Sequence, residues 1–289
     1  DEKVRDMDKL TVAFITKLEI TTAIEHLRVL APLKSAGVNV NRYFVDRDFD
    51  FNKIKPCQVI VIQRDFASDY YSYQKLLDYA KRQNIPVVLD LDDNLLELPL
   101  DHPDRKALYY TESLLPLLQS MIEVDAITVT NHVLQKEIQK FNPAVFVLPN
   151  YLDDNIWQMK APILPNSNSE IKMLFMGSHT HRVDLDMIAK PLELLLNVYP
   201  FLKFYAYGIE LPKNLKNHRR ALHIPSATMV YTDFAKHFRD LDMDIAIAPL
   251  VENKFNDYKS PLKFFEYSAI GVPGVYSNVG PFARIIERE

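Results

Sequence analysis

Cysteine is nearly absent from the sequence, since Cys57 is the only one among 289 residues. An intrachain disulfide and a zinc site made of cysteines are therefore excluded, and a reducing compartment such as the cytoplasm is expected. Cys57 itself is predicted to be a small buried residue beside a strand at 59–62. Long apolar runs are also lacking, and residues 1–9 are too charged for a signal peptide. We expect no transmembrane segment, while peripheral contact with a membrane stays open.

Positive charge is not in excess either, because the formal net charge is -4 at pH 7. A protein that binds nucleic acid irrespective of sequence needs a basic surface to displace counterions, so we expect no nucleic-acid partner. Hydrophobic residues make up 48% and charged residues 25% of the chain, as in soluble globular proteins. The length suits two domains of roughly 100 to 200 residues each.

Short apolar runs rich in Val, Ile and Phe alternate with segments of helical period, which is typical of a parallel sheet covered by helices. In the first half the predicted strands are 10–15, 38–44, 59–62, 87–91, 126–129 and 145–148, and the predicted helices are 22–35, 70–83, 111–123 and 133–141. In the second half the predicted strands are 172–176, 203–207, 221–224, 245–248 and 274–276, and the predicted helices are 185–198, 231–239 and 262–269. Residues 153–170 lack periodicity and indicate a linker. We predict an α/β protein with two Rossmann-like doubly wound domains, 1–158 and 159–289, facing each other across a cleft.

An acidic segment, 90–94 (DLDDN), directly follows the apolar run 87–89 and should lie at the carboxyl end of a strand. Crowded carboxylates repel one another unless they bind a metal ion, a proton or hydroxyl groups. The alternative is that they only cap the next helix. Haloacid dehalogenase-like phosphatases have a similar Asp-x-Asp after a strand, with the first Asp as nucleophile, and GT-A glycosyltransferases use Asp-x-Asp to hold a divalent metal ion.

Each of these two families makes a second demand on the sequence. A dehalogenase-like phosphatase should supply a later Gly-Asp pair for magnesium, and none of the six glycines is followed by Asp. A GT-A enzyme would be a single domain, without the second α/β half. A magnesium-dependent phosphohydrolase that uses Asp90 and Asp92 stays an alternative.

The segment MGSHTHRVD lies between the first strand and the first helix predicted in the second half. Gly177 permits a tight turn, while Ser178, Thr180 and free N–H groups at the helix start can receive an anion, with Arg182 adding positive charge. The same residues are also typical of a capped strand-to-helix turn. The two histidines of the segment are spaced like metal ligands, but no partner ligand is evident, so we expect no metal site.

A third segment, 246–277, runs from a strand end through a polar loop into a short helix. Pro261 can occupy the first turn of that helix, and Lys263 and Glu266, three residues apart, share a face. Lys259 lies in the loop before them. These charged residues are expected on the ligand side, although an exposed Lys/Glu pair on an amphipathic helix would show the same spacing.

These segments resemble, in the same order, those of retaining GT-B glycosyltransferases of family four (glycosyl transferases group 1). The matching motifs are APL at 248–250, NDYKS at 256–260, KFFEY at 263–267 and GVP at 271–273. The MGSHTHRVD segment is similar to the phosphate loop of the family, and 88–93 and 148–153 resemble segments of its first domain. The resemblance implies a GT-B fold and an enzyme of polysaccharide biosynthesis. It would transfer a sugar from a nucleotide-diphosphate sugar to a glycan, a lipid-linked saccharide or a protein.

The resemblance also implies roles for individual residues on the donor side. Glu266 would accept hydrogen bonds from the ribose hydroxyls of the donor. Lys263 and Arg182 would neutralise the diphosphate, also while charge grows on the departing nucleotide, so Lys263 is a catalytic candidate as well. Backbone groups near 223–225 would recognise the base. The other predicted donor-binding residues are Gly177, Ser178, His181, Asp257, Lys259 and Ser260. No cofactor and no metal ion would be required.

One position departs from the family pattern. Family four usually has a glutamate that contacts the donor sugar where this chain has Tyr258, and Asp257 is one place away. Donor identity and stereochemical outcome are therefore open, and a catalytically silent sugar-nucleotide-binding module is a second alternative. The family continues through another strand and closing helices beyond 289, so we expect the second domain to be truncated.

The first domain would contribute the acceptor side. Its candidate residues are Arg64, Asp92, Asp93 and Asn94; Arg28 is a weaker candidate, for which an ordinary surface arginine is the alternative. A retaining mechanism needs no protein base, whereas an inverting one would need Asp92 or Asp93 as the base. Family likeness favours retention.

Overall fold

The computed structural model describes residues 10–64, 66, 70–162, 170–226, 228 and 230–286. Residues 1–9, for which no signal peptide is predicted, and 163–169 of the predicted linker lie outside the described residues. The chain divides into two compact units, one ending at Asn150 and the other beginning at Tyr151. One exception is Glu97–Leu108, here called the inserted segment, which belongs to unit 2 although unit 1 surrounds it in sequence. Composition suggests a boundary at 158/159, whereas the contacts divide the chain at 150/151.

Unit 1 is built on a parallel sheet whose described part has six strands in the order β2-β1-β3-β4-β5-β6. Its strands are β1 (Thr11–Thr16), β2 (Asn39–Phe44), β3 (Val59–Gln63), β4 (Val87–Leu91), β5 (Ala126–Val129) and β6 (Val145–Val147). Its α-helices are α1 (Ala23–Glu25), α2 (Ala31–Ser35), α3 (Tyr70–Gln83), α5 (Thr111–Glu123) and α6 (His132–Ile138), while α4 (Pro103–Lys106) lies on the inserted segment. A π-helical turn, His26–Leu30, joins α1 to α2.

Unit 2 has a second parallel sheet, with five strands in its described part, in the order β11-β10-β7-β8-β9. Its strands are β7 (Ile171–Met176), β8 (Leu202–Tyr207), β9 (Ala221–Ile224), β10 (Ile245–Ala248) and β11 (Gly274–Tyr276). Its further α-helices are α7 (Arg182–Met187), α8 (Ala189–Val198), α9 (Tyr231–Arg239), α10 (Lys254–Asp257), α11 (Leu262–Ala269) and α12 (Gly280–Ile286). Phe175 and Phe204, on adjacent strands, are buried in one apolar core with Leu185, Leu192 and Leu196 of the covering helices.

The predicted fold class, two Rossmann-like α/β units with parallel sheets, is confirmed. All the predicted strands are present to within one residue at either end, because buried parallel strands are nearly continuous apolar runs. Helix bounds differ more: the predicted 185–198 helix begins at Arg182 and breaks at Ile188, and α4, α10 and α12 are unpredicted. Cys57 is only partly buried, unlike the prediction. Among the described residues, no helix is both long enough and apolar enough to cross a bilayer.

Candidate functional site

The loops that follow β7 and β10 meet at one edge of the unit 2 sheet. These strands are neighbours, with Ile247 opposite Phe175, and the strand order reverses at β7. Ligands of doubly wound sheets bind at the carboxyl ends of the strands at such a reversal. The motifs MGSHTHRVD and NDYKSPLKFFEY occupy these two loops and the helices that follow them. The fold therefore brings the two predicted donor-binding segments together.

The turn after β7 depends on a close approach between two glycines. The backbone N–H of Gly177 donates to the carbonyl oxygen of Tyr207 at 3.0 Å. Gly208, the next residue, has a φ of +75°, and a Cβ placed on it would lie 2.8 Å from the carbonyl oxygen of Gly177. Glycine alone adopts this backbone conformation without strain while leaving room for the neighbouring turn.

Replacement of Gly208 by alanine is expected to destabilise unit 2 by about 1–3 kcal/mol, because it adds steric overlap to backbone strain. Thermal unfolding measures the loss. Gly37→Ala is the matched control, since Gly37 has a φ of +74° but nothing within 4 Å of the position that a Cβ would take. If the two variants lose equal stability, backbone strain alone accounts for the effect and the close approach does not matter.

His181 and Asp184 form a hydrogen-bonded pair at the start of α7. Nδ1 of His181 lies 2.9 Å from Oδ2 of Asp184, and Oδ1 accepts from the N–H of Val251 at 2.9 Å. Burial, followed by the charge of Lys263, lowers the pKa of His181 to about 4, against the effect of Asp184. Burial favours the neutral carboxyl of Asp184, but hydrogen bonds from His181 and Val251 leave its pKa below the ordinary value. At neutral pH the pair is a neutral imidazole beside a carboxylate.

Lys263 and Glu266 lie one turn apart on α11. Glu266 is only 3% exposed, and its carboxyl group makes no hydrogen bond to the part of the chain that the structure describes. Burial raises the pKa of Glu266 to about 8, with Lys263 opposing the change. Burial likewise lowers the pKa of Lys263 to about 8, and its Nζ lies 5.1 Å from the centroid of the Phe175 ring. Both groups therefore change charge close to physiological pH.

Ser260 precedes α11, and its hydroxyl oxygen is buried without a hydrogen-bond partner among the described residues. The helix begins at Leu262, and Pro261 at the N-cap position provides no side-chain cap. Folded proteins seldom leave buried polar groups unpaired, because each costs about 1–3 kcal/mol. Nearby, the Lys259 ammonium lies 4.6 Å from the centroid of the Phe255 ring. A hydroxyl, uncapped N–H groups and an ammonium are the donors that an anion requires.

Arg182, predicted to neutralise a diphosphate, is engaged elsewhere on its own unit. Its guanidinium donates to the Asp186 carboxylate at 3.2 Å and to the carbonyl oxygen of Glu210 at 2.6 Å. Ser178 and Thr180 are hydrogen-bonded to each other through their hydroxyl oxygens at 2.7 Å. Among the cationic residues predicted to bind the anion, Lys263 of α11 and Lys259 of the preceding loop are close enough to His181 to affect its charge.

Tyr258, the position at which the chain departs from the family pattern, is buried. Asp257 lies beside α12, where its backbone carbonyl accepts from Arg284 at 2.7 Å and its Oδ1 is 3.5 Å from a Cβ built on Gly280. The structure therefore gives no direct link between the Asp257 carboxylate and the α11 charges.

The inserted segment is a part of the site that the sequence patterns did not indicate. Three contacts join it to the site loops: the ion pair Glu97–Lys254 at 2.6 Å, the hydrogen bond between Asp104 and His179 at 3.0 Å, and the ring contact between His102 and Phe255 at 5.5 Å. A small cavity of about 30 Å³ lies between the segment and the loops, lined in part by His102, His181 and Lys259. Pro103 in the first turn of α4 was the available local signal.

In unit 1, the first acid of the DLDDN segment is held in a buried ion pair. Arg28 Nη2 lies 2.6 Å from Oδ1 of Asp90, and both side chains are at most 2% exposed. Thr128 also donates to Asp90, at 2.7 Å, and the Arg28 guanidinium donates to Asn150 at 3.2 Å. Arg28 is thus not a surface residue, and its guanidinium is not free to contact an acceptor. Asp90, which the phosphohydrolase alternative requires as its nucleophile, is engaged in the ion pair with Arg28. No cluster of three or more metal-binding side chains occurs within the described ranges.

The next two acids share one arginine. Arg64 Nη1 lies 2.9 Å from Oδ1 of Asp92 and 3.4 Å from Oδ2 of Asp93. Burial raises the pKa of Asp92 to about 6, and Arg64 opposes this. The guanidinium lies 5.9 Å from the ring centroid of Tyr110. Asn94, by contrast, is buried and caps the following turn with its own side chain.

A larger pocket opens in unit 1 at the carboxyl ends of β1 and β3, where the strand order of that sheet reverses. Its volume is about 340 Å³, and its lining includes Thr16, Gln63, Arg64, Tyr109 and Tyr110. Tyr109 is largely exposed. An exposed aromatic ring among hydrogen-bonding groups suits a polar ligand with apolar faces. The tyrosine pair has no distinctive sequence signal.

No family model and no curated protein sequence matches the chain. Several solved structures, by contrast, are similar to the chain. A protein of Listeria monocytogenes that carries the name UDP-N-acetylglucosamine 2-epimerase aligns with a TM-score of 0.53 at 11% identity, over 96% of this chain and 82% of that one. A mutant of S. aureus TarM, in complex with Fondaparinux, alpha-GlcNAc-glycerol and UDP, aligns with a TM-score of 0.50 at 16% identity, over 78% of this chain and 43% of that one. At these identities the likeness establishes a fold of the GT-B-like class.

Proposed function

We propose that the protein binds a nucleotide-diphosphate sugar through unit 2 and transfers the sugar to an acceptor hydroxyl, as a metal-independent GT-B glycosyltransferase of the family-four type. The acceptor would be a glycan, a lipid-linked saccharide or a protein, and the cytoplasm would be the location. The motifs of unit 2 support the activity, and the similar solved structures support the fold. Because UDP or a UDP-sugar is named for two of them, UDP-sugars are the first donors to test.

The buried Glu266 carboxyl is the observation that carries the proposal. A carboxyl group that is 3% exposed and lacks hydrogen bonds within the described residues is costly for the fold alone. Its cost falls if a ligand supplies donors, and the paired hydroxyls of a ribose do so in the geometry that a carboxylate accepts. Lys263, one turn earlier on the same helix, would then neutralise the diphosphate attached to that ribose.

The residues just before α11 support the binding of an anion at the start of this helix. The unpaired Ser260 hydroxyl, the uncapped first turn and the Lys259 ammonium all precede the helix. During transfer, negative charge grows on the departing diphosphate, and ammonium groups fixed in a partly dehydrated site stabilise it. The chain therefore offers electrostatic stabilisation of the leaving group without a bound metal ion.

For the acceptor side we propose the unit 1 pocket beside Arg64, with Tyr109 and Tyr110 as contact surfaces for a sugar ring. Asp92, with its pKa raised to about 6, would bind acceptor hydroxyls. Retention is the proposed stereochemical outcome, since a retaining enzyme can let the leaving phosphate take the acceptor proton and needs no dedicated base.

A panel of nucleotide sugars tests the proposal by thermal shift and calorimetry, with and without EDTA. We use UDP-GlcNAc, UDP-glucose, GDP-mannose and ADP-glucose, and expect one class of base to stabilise the protein regardless of EDTA. Release of nucleoside diphosphate in the presence of a saccharide acceptor indicates transfer, and conversion of the sugar without release indicates epimerisation. Binding without either reaction indicates the silent module, and no binding at all refutes the proposal.

Lys263→Met should weaken nucleotide-sugar binding by about tenfold to a hundredfold, because a charge-assisted contact to phosphate contributes about 1.5–3 kcal/mol. Calorimetric titration gives the dissociation constants. Lys236→Met is the matched control, since Lys236 is an exposed residue of α9. Equal affinities of the two variants would remove Lys263 from the site.

A further inference from the structure

The imidazole of His181 is held in one tautomer by its neighbours. Oδ2 of Asp184 lies 2.9 Å from Nδ1 of His181, and Oδ1 of Asp184 accepts a hydrogen bond from the N–H of Val251 at 2.9 Å. A carboxylate can only accept, so Nδ1 must be the nitrogen that carries the hydrogen. In the neutral ring, Nε2 is therefore a bare acceptor.

One side of the His181 ring lies against the turn after β7, through Cβ and Cδ2. The ring carbon Cδ2 lies 3.2 Å from the position of a Cβ on Gly177, and the Phe175 ring lies 3.1 Å from that same position. The Lys263 ammonium sits 5.1 Å from the centroid of that Phe175 ring. Nε2 makes no hydrogen bond to any described residue. The His181 imidazole and the Lys263 ammonium thus both lie near the Phe175 ring, close enough for the ammonium to act on the charge of His181.

The charges around His181 explain why it is neutral. Burial, Lys263 and Lys259 disfavour the imidazolium, while Asp184 favours it, and the balance lowers the pKa to about 4. The inserted segment brings Asp101 and His102 to the small cavity that His181 also lines. Glu266, on the same helix as Lys263, is neutral below a pKa of about 8. A bare acceptor nitrogen cannot hold a phosphate oxygen, which is an acceptor too.

We infer that His181 takes up a proton from solvent on Nε2 when the diphosphate of a nucleotide sugar binds, with Asp184 as the residue that positions it. The inference rests on the proposed function. The bound anion offsets the field of the two lysines, and the new N–H donates to a phosphate oxygen while Nδ1–H stays on Asp184. Protonated His181 thus adds a third positive charge to those of Lys259 and Lys263, and all three stabilise the leaving diphosphate.

Nucleotide-sugar binding should then weaken as the pH rises. The pKa of His181 is about 4 in the free protein and higher in the complex. Between these two values each unit of rising pH weakens binding by up to tenfold, because the complex holds a proton that the free protein lacks. Below the lower value both states are protonated and the dependence disappears.

Calorimetry in phosphate-free buffers of different ionisation enthalpy counts the protons taken up at about pH 6. The probe is the nucleotide sugar that binds most tightly in the panel above, whose diester phosphates do not titrate near neutral pH. Because Glu266 and Lys263 titrate as well, the measure is the wild-type value minus that of His181→Gln, and we expect a difference of roughly one proton. Asp184→Asn should lower the uptake similarly, and His132→Gln, an exposed histidine of unit 1, should leave it unchanged.

A second measurement guards against variants that fail to fold. The Cε1–H resonance of His181 in the wild-type protein reports its pKa by NMR titration, and we expect the pKa to rise with ligand to about 7 or above, as an uptake of roughly one proton at pH 6 requires. Tight binding with an unchanged His181 resonance, or with equal proton counts in wild type and His181→Gln, overturns this inference and leaves the proposed function standing. A wild type that binds no member of the panel overturns both.

Discussion

Glu266→Gln should make the free protein more stable at pH 8 and abolish nucleotide-sugar binding. Burial raises the pKa of Glu266 from its ordinary 4.5 to about 8. The folded state therefore retains a proton that the unfolded chain loses above 4.5, so the contribution of Glu266 to stability is greatest below that pH and is lost as the pH rises toward 8. Glutamine has nearly the same shape and no charge to bury. We expect a gain of about 1–3 kcal/mol at pH 8.

Urea unfolding of the two proteins at several pH values checks the stability part, and calorimetric titration checks binding. The pH-dependent loss should be present in the wild type and reduced in Glu266→Gln. Glu112→Gln on α5 provides the control, because Glu112 is exposed and belongs to unit 1. A Glu266→Gln protein that binds nucleotide sugars with wild-type affinity would remove the observation on which the proposed function depends.

The second large effect is expected in unit 1, where Asp90→Asn should destabilise the protein by about 3–5 kcal/mol. The substitution leaves the buried Arg28 guanidinium without the carboxylate 2.6 Å away, and an uncompensated buried charge is costly. The midpoint of thermal unfolding should fall by about 10 °C for a unit of this size. Nucleotide-sugar binding, measured below that midpoint, should persist, because the site that we propose lies in unit 2.

A double variant sharpens this test. Arg28→Met with Asp90→Leu removes both charges, and we expect it to recover most of the stability that Asp90→Asn loses. Asp242→Asn is the surface control: Asp242 is largely exposed and pairs with Lys172, so its loss should cost less than about 1 kcal/mol. If Asp90→Asn were fully stable and instead abolished a magnesium-dependent phosphatase activity, the phosphohydrolase alternative would be correct.

The strands of both sheets could be predicted because their signals are local. A buried parallel strand needs a nearly continuous apolar run, and the strands at 126–129 and 245–248 lie in such runs. Helix bounds were less accurate, since a helix such as α7 can begin on polar residues and its start depends on the preceding turn. The short helix α4 contains four residues, too few to show any hydrophobic period.

The candidate site divides in the same way. The sequence alone determined that Lys263 and Glu266 share a helical face, because residues three apart on a helix lie on the same side. Only the tertiary structure decided that Val251, 67 residues on, fixes Asp184, that Arg28 closes on Asp90 across 62 residues, and that the inserted segment returns to unit 2. Burial, which also depends on the tertiary structure, sets the charge states of the site residues. The charge state of Glu266, Lys263 and His181 depends on how much water packing removes, a quantity that the order of residues along the chain does not contain.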